Sequence, residues 1–257
     1  MNHMFYFFAR KPSLSAAGFH HHYLALHTQS GMRQAELGTK GGETRPRHMR
    51  RYIQNHRIHS LGGNSPFDAV SEVWSDELAN QMLGQLSVQE HPNSPFKRDE
   101  FNFIDLSRIG WMLTEDKPVT QATELRSGMI QGIFQLQRKM GVRIEDFRSY
   151  WSEVHAPIVQ ALPGLRYYQQ SVTLDEAYHW GDPRWDGADE IWFDDYEAAQ
   201  RAIGSTEFQR SFLPDFDRFS ETPLYFFSEA RLVMWPGKRK EEALAEIAQR
   251  VKQPWLE

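Results

Sequence analysis

Hydrophobic and polar positions alternate with two periods along this chain, and each pattern occurs twice. Met4 to Ala9 is an apolar and aromatic run ahead of Arg10-Lys11, and Ile133 to Gln137 alternates apolar with polar ahead of Arg138-Lys139. Both read as strands. Phe147, Trp151 and His155 then recur at i, i+4 and i+8 with Tyr150, Val154 and Val159 beside them, which predicts a helix with one aromatic and apolar face. The matching face in the first half is Phe19, Tyr23 and His27. Pro163-Gly164 ends the second of these helices, and Leu165 to Val172 reads as a strand. Turns at Gly62-Gly63-Asn64 and Gly181-Asp182-Pro183 precede strands around Val70 to Trp74 and Ala188 to Phe193. Ser75-Asp76-Glu77 and Asp194-Asp195 suit helix starts, predicting helices over Leu78 to Leu86 and Tyr196 to Ile203. Final strands are expected near Ile104 to Leu113 and Tyr225 to Met234, and an amphipathic docking helix between Lys238 and Lys252.

These elements form a duplication. Arg10-Lys11, Phe19 and His27 return at unchanged spacing as Arg138-Lys139, Phe147 and His155. Arg51-Tyr52-x-Gln54 aligns by letter with Arg166-Tyr167-x-Gln169, Asp68-xxx-Glu72-x-Trp74 with Asp186-xxx-Glu190-x-Trp192, and Asp99-xxx-Phe103 with Asp215-xxx-Phe219. On that alignment the first copy carries 13 extra residues, since His27 to Tyr52 spans 25 positions and His155 to Tyr167 spans 12. Each copy reads β-α-β-β-α-β, a ferredoxin-like unit with two helices on one face of a four-stranded antiparallel sheet. The expected fold class is α+β, two such units packed as an α+β barrel within one chain. The expected division is an N-terminal unit over 1–120 with an insertion at about 34–47, a C-terminal unit over 128–236, and a docking helix over 237–257. Function is then to be sought where the copies differ.

Composition narrows the chemistry. The 257 residues are 40% hydrophobic and contain no run approaching the roughly 20 apolar residues of a membrane span, so a globular cytoplasmic protein is expected. No cysteine is present, which removes disulfides, thiolate nucleophiles and zinc-thiolate sites. A net charge of −5 opposes nucleic-acid binding despite the local arginines Arg45, Arg47, Arg50, Arg51 and Arg57. Eleven histidines and eight tryptophans point to proton transfer and an aromatic pocket. No HExxH pattern is present, and no metal or other cofactor is expected.

Phe147-xx-Tyr150-Trp151-xxx-His155-Ala156-Pro157, Leu162-Pro163-Gly164-Leu165-Arg166-Tyr167-Tyr168 and Asp186-Gly187-xx-Glu190-Ile191-Trp192-Phe193 resemble the EthD family of dimeric α+β-barrel proteins. The first copy departs from the pattern, with Thr28-Gln29 after His27 in place of Ala-Pro. The whole chain looks like a tandem version of the usual dimer, and further dimerisation of tandem chains stays open. The resemblance implies cofactor-free dehydratases, decarboxylases and cyclases acting on aromatic or polyketide-like molecules, together with members of unknown role in degradation.

His155 is the residue the motif singles out, and His27 is its repeat mate. Each reads either as a general acid/base or as a structural histidine bonded to a carboxylate or strand backbone. His22 replaces Tyr150, and Tyr23 replaces Trp151, so these break the symmetry. His20, His21 and His22 diverge by about 100° per residue on a helix, so they cannot all face inward. On the following strand, His48, Arg50, Tyr52, Gln54 and His56 share one face by alternation. Tyr52, Tyr167 and Tyr168 could donate hydrogen bonds to a developing enolate, and Arg51 or Arg166 could hold a carboxylate. His179, between Tyr178 and Trp180, reads as part of a pocket lid on a loop. Candidate catalytic residues are therefore His27, His155, His22, Tyr52 and Tyr168, and candidate substrate-binding residues are Arg51, His48, Tyr23, Tyr150, Trp151, Tyr167 and His179. Asp68, Glu72, Asp99 and their mates Asp186, Glu190 and Asp215 read as structural. The favoured reading is a cofactor-independent lyase, a decarboxylase or dehydratase for a small aromatic compound. A non-enzymatic carrier of an apolar intermediate and a haem- or oxygen-using barrel relative are the alternatives.

Overall fold

A computed structural model describes residues 1–29, 49–76, 95–121, 124–179 and 181–255. The first copy supplies β1 (Asn2–Arg10), β2 (Met49–Arg57), β3 (Ala69–Ser75) and β4 (Ile104–Pro118), and the second supplies β5 (Ile130–Leu136), β6 (Tyr167–Thr173), β7 (Gly187–Phe193) and β8 (Leu224–Met234). They close in the order β1-β3-β2-β8-β5-β7-β6-β4, an eight-stranded antiparallel barrel in a mixed α+β fold. Each copy thus contributes the same local order, with its third strand between its first and second. Packing divides the chain into one unit of Met1–His56, Pro66–Trp111 and Leu232–Glu257, and a second of Arg57–Ser65 and Met112–Arg231.

In the first unit, β3 pairs with β1 on one side and β2 on the other. Strand alternation sends Tyr6, Phe8 and Ala69 to the helix side, where they pack with Phe19, Tyr23, Phe103 and Ile104. Ser15 caps the helix Ala16–His21 by accepting from the Gly18 N–H. That helix runs on as a π-helical segment, His22–His27, and a second described helix, Pro95–Phe103, leads into β4. The amphipathic tail forms Lys240–Arg250, with Ala243 and Ile247 buried. The expected helix over Leu78 to Leu86 and the insertion at about 34–47 lie outside the described residues.

The second unit repeats this plan. β7 pairs with β5 and β6, β5 also pairs with β8, and Thr114 to Pro118 at the end of β4 add to β6. β4 therefore continues beyond the Leu113 end expected from the hydrophobic pattern, because the polar stretch Thr114 to Lys117 still finds a strand partner. The helix Ile144–Tyr150 again passes into a π segment, Trp151–His155, and the predicted Tyr196–Ile203 helix forms behind its Asp195 cap. Gly164 adopts φ +76°, as the Pro-Gly turn requires.

Strand register revises one equivalence. Trp74 is paired with Arg51 in β2, whereas its mate Trp192 is paired with Tyr167 in β6. Tyr52 therefore corresponds to Tyr168 and Gln54 to Gln170, one position away from the alignment by letter. Gln54 Nε2 contacts the Tyr52 hydroxyl at 2.9 Å and the Tyr23 carbonyl at 3.3 Å; Gln170 Nε2 contacts the Tyr168 hydroxyl at 2.9 Å and the Trp151 carbonyl at 2.8 Å. The doubled letters Tyr167-Tyr168-Gln169-Gln170 fit either register, and Arg166 favoured the wrong one. The extra length of the first copy becomes 12 residues, since His155 to Tyr168 spans 13 positions. A slip of one residue exchanges the faces of a strand, so this correction decides which residues can share a site.

The larger Trp151 is matched by Gly187, whose mate in the first copy is Ala69 beside the smaller Tyr23. A Cβ on Gly187 would lie 2.6 Å from the Trp151 ring and 2.7 Å from the Ser171 carbonyl oxygen. Gly187→Ala is expected to cost about 1–3 kcal/mol by overpacking, read from urea unfolding; unchanged stability would refute this fit.

Candidate functional site

The sequence candidates fall on two faces of the sheets. Tyr52, Gln54 and His56 share the helix-facing side of β2, as alternation predicted, while Arg51 points to the opposite side. In the second copy Tyr168 and Gln170 face the helices, and Tyr167 and Gln169 face away. His48 lies outside the described residues.

On the helix side, each copy ties its motif histidine to a carboxylate. His155 is fully buried, its Nδ1 is 2.8 Å from Asp215 and its Nε2 is 3.1 Å from Asp189. Asp189 also accepts from the Trp151 indole at 2.8 Å and the Tyr168 hydroxyl at 2.6 Å, and Asp215 accepts from Tyr150 at 2.9 Å. In the first copy Asp99 takes both His27 Nδ1 at 3.0 Å and His22 Nε2 at 2.8 Å. Ser71 replaces the second carboxylate and meets the Tyr23 hydroxyl at 2.7 Å. The π segments make these bonds geometrically accessible. Residues five apart diverge by about 140° on an α-helix, but the wide i→i+5 turn brings His22 and His27, or Tyr150 and His155, toward one acceptor.

Electrostatics follow from these partners. Burial alone would lower the His155 pKa, but Asp189 and Asp215 outweigh it and raise it above the ordinary 6.5. Burial works to raise Asp99, and the bonds from His27, His22 and Asn102 overcome it, taking the pKa from 3.8 to about 2. Tyr168 and Tyr23 are pushed well above 10, first by burial and next by Asp189 and Tyr52 respectively, so both stay protonated. His27, His22, Tyr23, Tyr52, Tyr150, Trp151, Tyr168 and His155 thus occupy helix-to-sheet layers. His20 and His56 form another buried contact there, Nδ1 to Nδ1 at 3.2 Å, and Trp255 packs on both rings at 5.1 and 4.8 Å. His179 is exposed at the end of the short helix Asp175–His179, on regular structure where a loop was expected. Arg166 is exposed and paired with Asp194 at 3.0 Å.

The face opposite the helices carries chemistry that the sequence search passed over. His3, Trp74 and Arg51 occupy one rung across β1, β3 and β2, because His3 and Arg51 are both paired with Trp74. Directly opposed residues on antiparallel strands project to the same face. The His3 ring stacks on Trp74 at 3.8 Å, and His3 Nε2 lies 3.2 Å from Glu72. Asn55 donates to the other oxygen of Glu72. Arg51 lies over the Trp235 ring at 4.9 Å, and Trp235 meets Trp74 edge-on at 6.0 Å. The equivalent rung of the second copy is Gln131, Trp192 and Tyr167. There Glu190 is held by Gln131 at 2.8 Å, Gln169 at 2.7 Å and Ser171 at 2.5 Å. Both copies keep the tryptophan and the glutamate, and only the first places a histidine and an arginine beside them. The signal that could have found this rung was the pair of substitutions His3/Gln131 and Arg51/Tyr167; the second was hidden by the one-residue misalignment.

Residues 139–223 match the EthD domain family. This EthD segment contains His155, Tyr168, Asp189, Glu190 and Asp215. An ethyl tert-butyl ether D family protein from Bacillus halodurans is similar at 22% identity and a TM-score of 0.34, over 39% of this chain and 97% of its own. Across nearly the whole chain, the fold is similar to a chlorite dismutase candidate, at 8% identity and a TM-score of 0.55, covering 96% of this chain and 98% of that one. It is also similar to a dye-decolorizing peroxidase from Bacteroides thetaiotaomicron, at 8% identity and a TM-score of 0.50, covering 89% and 92%. The last two likenesses establish the α+β barrel fold around the EthD segment. No curated protein matches the chain in sequence. Among the described residues no helix is long and apolar enough to cross a membrane.

Two outcomes follow for the EthD segment and its repeat. His155→Leu leaves Asp189 and Asp215 without the cation between them and should cost about 3–5 kcal/mol in chemical unfolding; the difference from wild type should shrink as pH rises through the elevated His155 pKa. The depressed Asp99 pKa gives stability that is present above about pH 4 and is lost as pH falls toward 2, and Asp99→Asn should flatten that part of the stability curve by about 1–2 kcal/mol.

Proposed function

We propose that the protein is a cofactor-independent acid–base catalyst, a lyase of the decarboxylase or dehydratase type for a small aromatic compound, and that His3 moves the proton. The observation that carries this reading is the buried His3–Glu72 pair stacked on Trp74, present in one copy and replaced by a glutamine–glutamate pair in the other. The Glu72 carboxylate lies beside one ring nitrogen of His3, and an imidazole can take a proton from a substrate and return it. Asn55 holds the opposite side of Glu72 and keeps its carboxylate plane fixed. His155 and His27 are assigned a scaffold role, because their carboxylate partners bind the helices to the sheets. His3 is enclosed, so substrate access requires the aromatic cover to yield, and the half-buried Trp235 against Trp74 is the side chain placed to do so.

A haem-dependent reading, suggested by the peroxidase and chlorite dismutase names among similar folds, is not favoured by the donor set. Among the described residues the inward histidines are engaged with carboxylates (His3, His22, His27, His155) or with each other (His20, His56), and His21, His59 and His179 are exposed. An axial ligand needs an imidazole nitrogen turned toward an open apolar slot. The surface depression beside Lys11, Phe101 and Ile104 has no histidine in its lining.

The test is turnover of a panel of aromatic acids and alcohols by the full chain, followed by ultraviolet absorbance. His3→Gln and Glu72→Gln should lower kcat by about 10²- to 10⁴-fold while leaving the fold intact by circular dichroism. Wild-type turnover in His3→Gln would remove the assignment. If the intact protein binds panel members but converts none, the carrier reading replaces the lyase.

A further inference from the structure

We infer that Arg51 is a specificity-determining residue that recognises a carboxylate, and that the His3–Trp74–Arg51 rung takes a planar aromatic carboxylate. This rests on the proton-transfer role proposed for the same rung and extends it to a substrate class. Arg51 differs from several arginines of the sheets in its partner. Arg10 and Arg138 are neutralised by Asp68 and Asp186, Arg231 by Glu229, Arg50 by Asp76 and Arg166 by Asp194. Arg51 makes no ion pair with a described carboxylate, and its contact is the face of Trp235. Stacking uses the flat face of a guanidinium and leaves its in-plane N–H groups directed at the edge, the geometry that receives a carboxylate through two parallel hydrogen bonds. Trp235 therefore contacts Arg51 without taking up one of its hydrogen-bond donors as an acceptor would. Arg51 and Trp235 are partly exposed, whereas Trp74 and His3 are enclosed, so an anion reaches Arg51 from solvent.

Spacing sets the size of the ligand. Neighbouring strands are about 4.8 Å apart, so β1 and β2 lie about 10 Å apart across β3, the length of a one- or two-ring aryl carboxylate held at Arg51. An acid held at Arg51 would direct its ring toward His3. The second copy lacks this polarity: Tyr167 stands at the Arg51 position and donates to Gln169 at 2.9 Å, closing on its own strand. The duplicated chain thus has one charged recognition position where two identical subunits would have two or none.

The experiment is calorimetric titration of the full chain with 1-naphthoate and with the neutral 1-naphthylmethanol. Wild type should prefer naphthoate, and Arg51→Gln should weaken naphthoate at least about tenfold while changing naphthylmethanol less than about twofold. Arg51→Lys should fall between, because an ammonium keeps the charge but loses the planar fork. Arg166→Gln, at an exposed paired arginine, should change neither ligand. Naphthoate affinity and turnover of the aromatic panel are read separately on the wild type, so binding without turnover marks a failed catalytic assignment and is distinguished from a failed recognition assignment. Equal naphthoate binding by wild type and Arg51→Gln, or no preference for the acid over the alcohol in wild type, overturns the inference.

Discussion

His155 stands between Asp215, which precedes β8, and Asp189 in the middle of β7, and so joins the helix layer of the second copy to its sheet through one imidazole ring. Three buried ionisable groups in contact are tolerable only if their charges are balanced and their remaining lone pairs are satisfied. Tyr150, Trp151 and Tyr168 supply those remaining bonds. This requirement fixes much around it: the π segment that turns His155 inward, the indole that must reach Asp189, and the glycine that gives the indole room. The first copy solves the same problem with fewer charges. Ser71 takes the place of Asp189, Tyr23 bonds the serine, and His22 joins His27 on Asp99.

The duplication is best understood as two scaffolds held by one device and relieved of identical duties on the other face. On the helix side nearly every difference is compensated by a neighbour, as in Trp151 with Gly187 against Tyr23 with Ala69. On the opposite face the differences are not compensating. His3 and Arg51 replace Gln131 and Tyr167 around an unchanged tryptophan, while Glu72 and Glu190 keep their positions. A change that alters charge and proton-transfer capacity without balancing the packing is the ground for proposing chemistry in the first copy that the second lacks.

Much of the architecture was legible before the structure. The period-2 patterns located the described strands and the helical patterns several described helices, although not Pro95–Phe103; the repeated Arg-Lys, Asp-Glu-Trp and Asp-Phe landmarks pointed to two βαββαβ units, and the EthD resemblance was read from Phe147 to Phe193. The matched carboxylates read as structural include Asp68, paired with Arg10, and Asp99 and Asp215, each bonded to its motif histidine. Glu72 shows where that reasoning stops, because its mate Glu190 is equally buried and the two are told apart by their partners, His3 and Asn55 against Gln131, Gln169 and Ser171. His3 attracted no attention in sequence, since a lone histidine near a terminus carries no spacing to mark it.

By itself the sequence determined the repeat, the kinds of element and the residues able to hold protons, because these depend on local periodicity and side-chain chemistry. Only the tertiary structure decided which of them share a face. Tyr-Tyr-Gln-Gln satisfies two registers equally in letters, and strand pairing selects one through backbone hydrogen bonds to residues far away in the chain. That selection sends Tyr52 and Tyr168 toward the helices and brings Arg51 into line with Trp74 and His3, since neighbouring positions on a strand point to opposite sides.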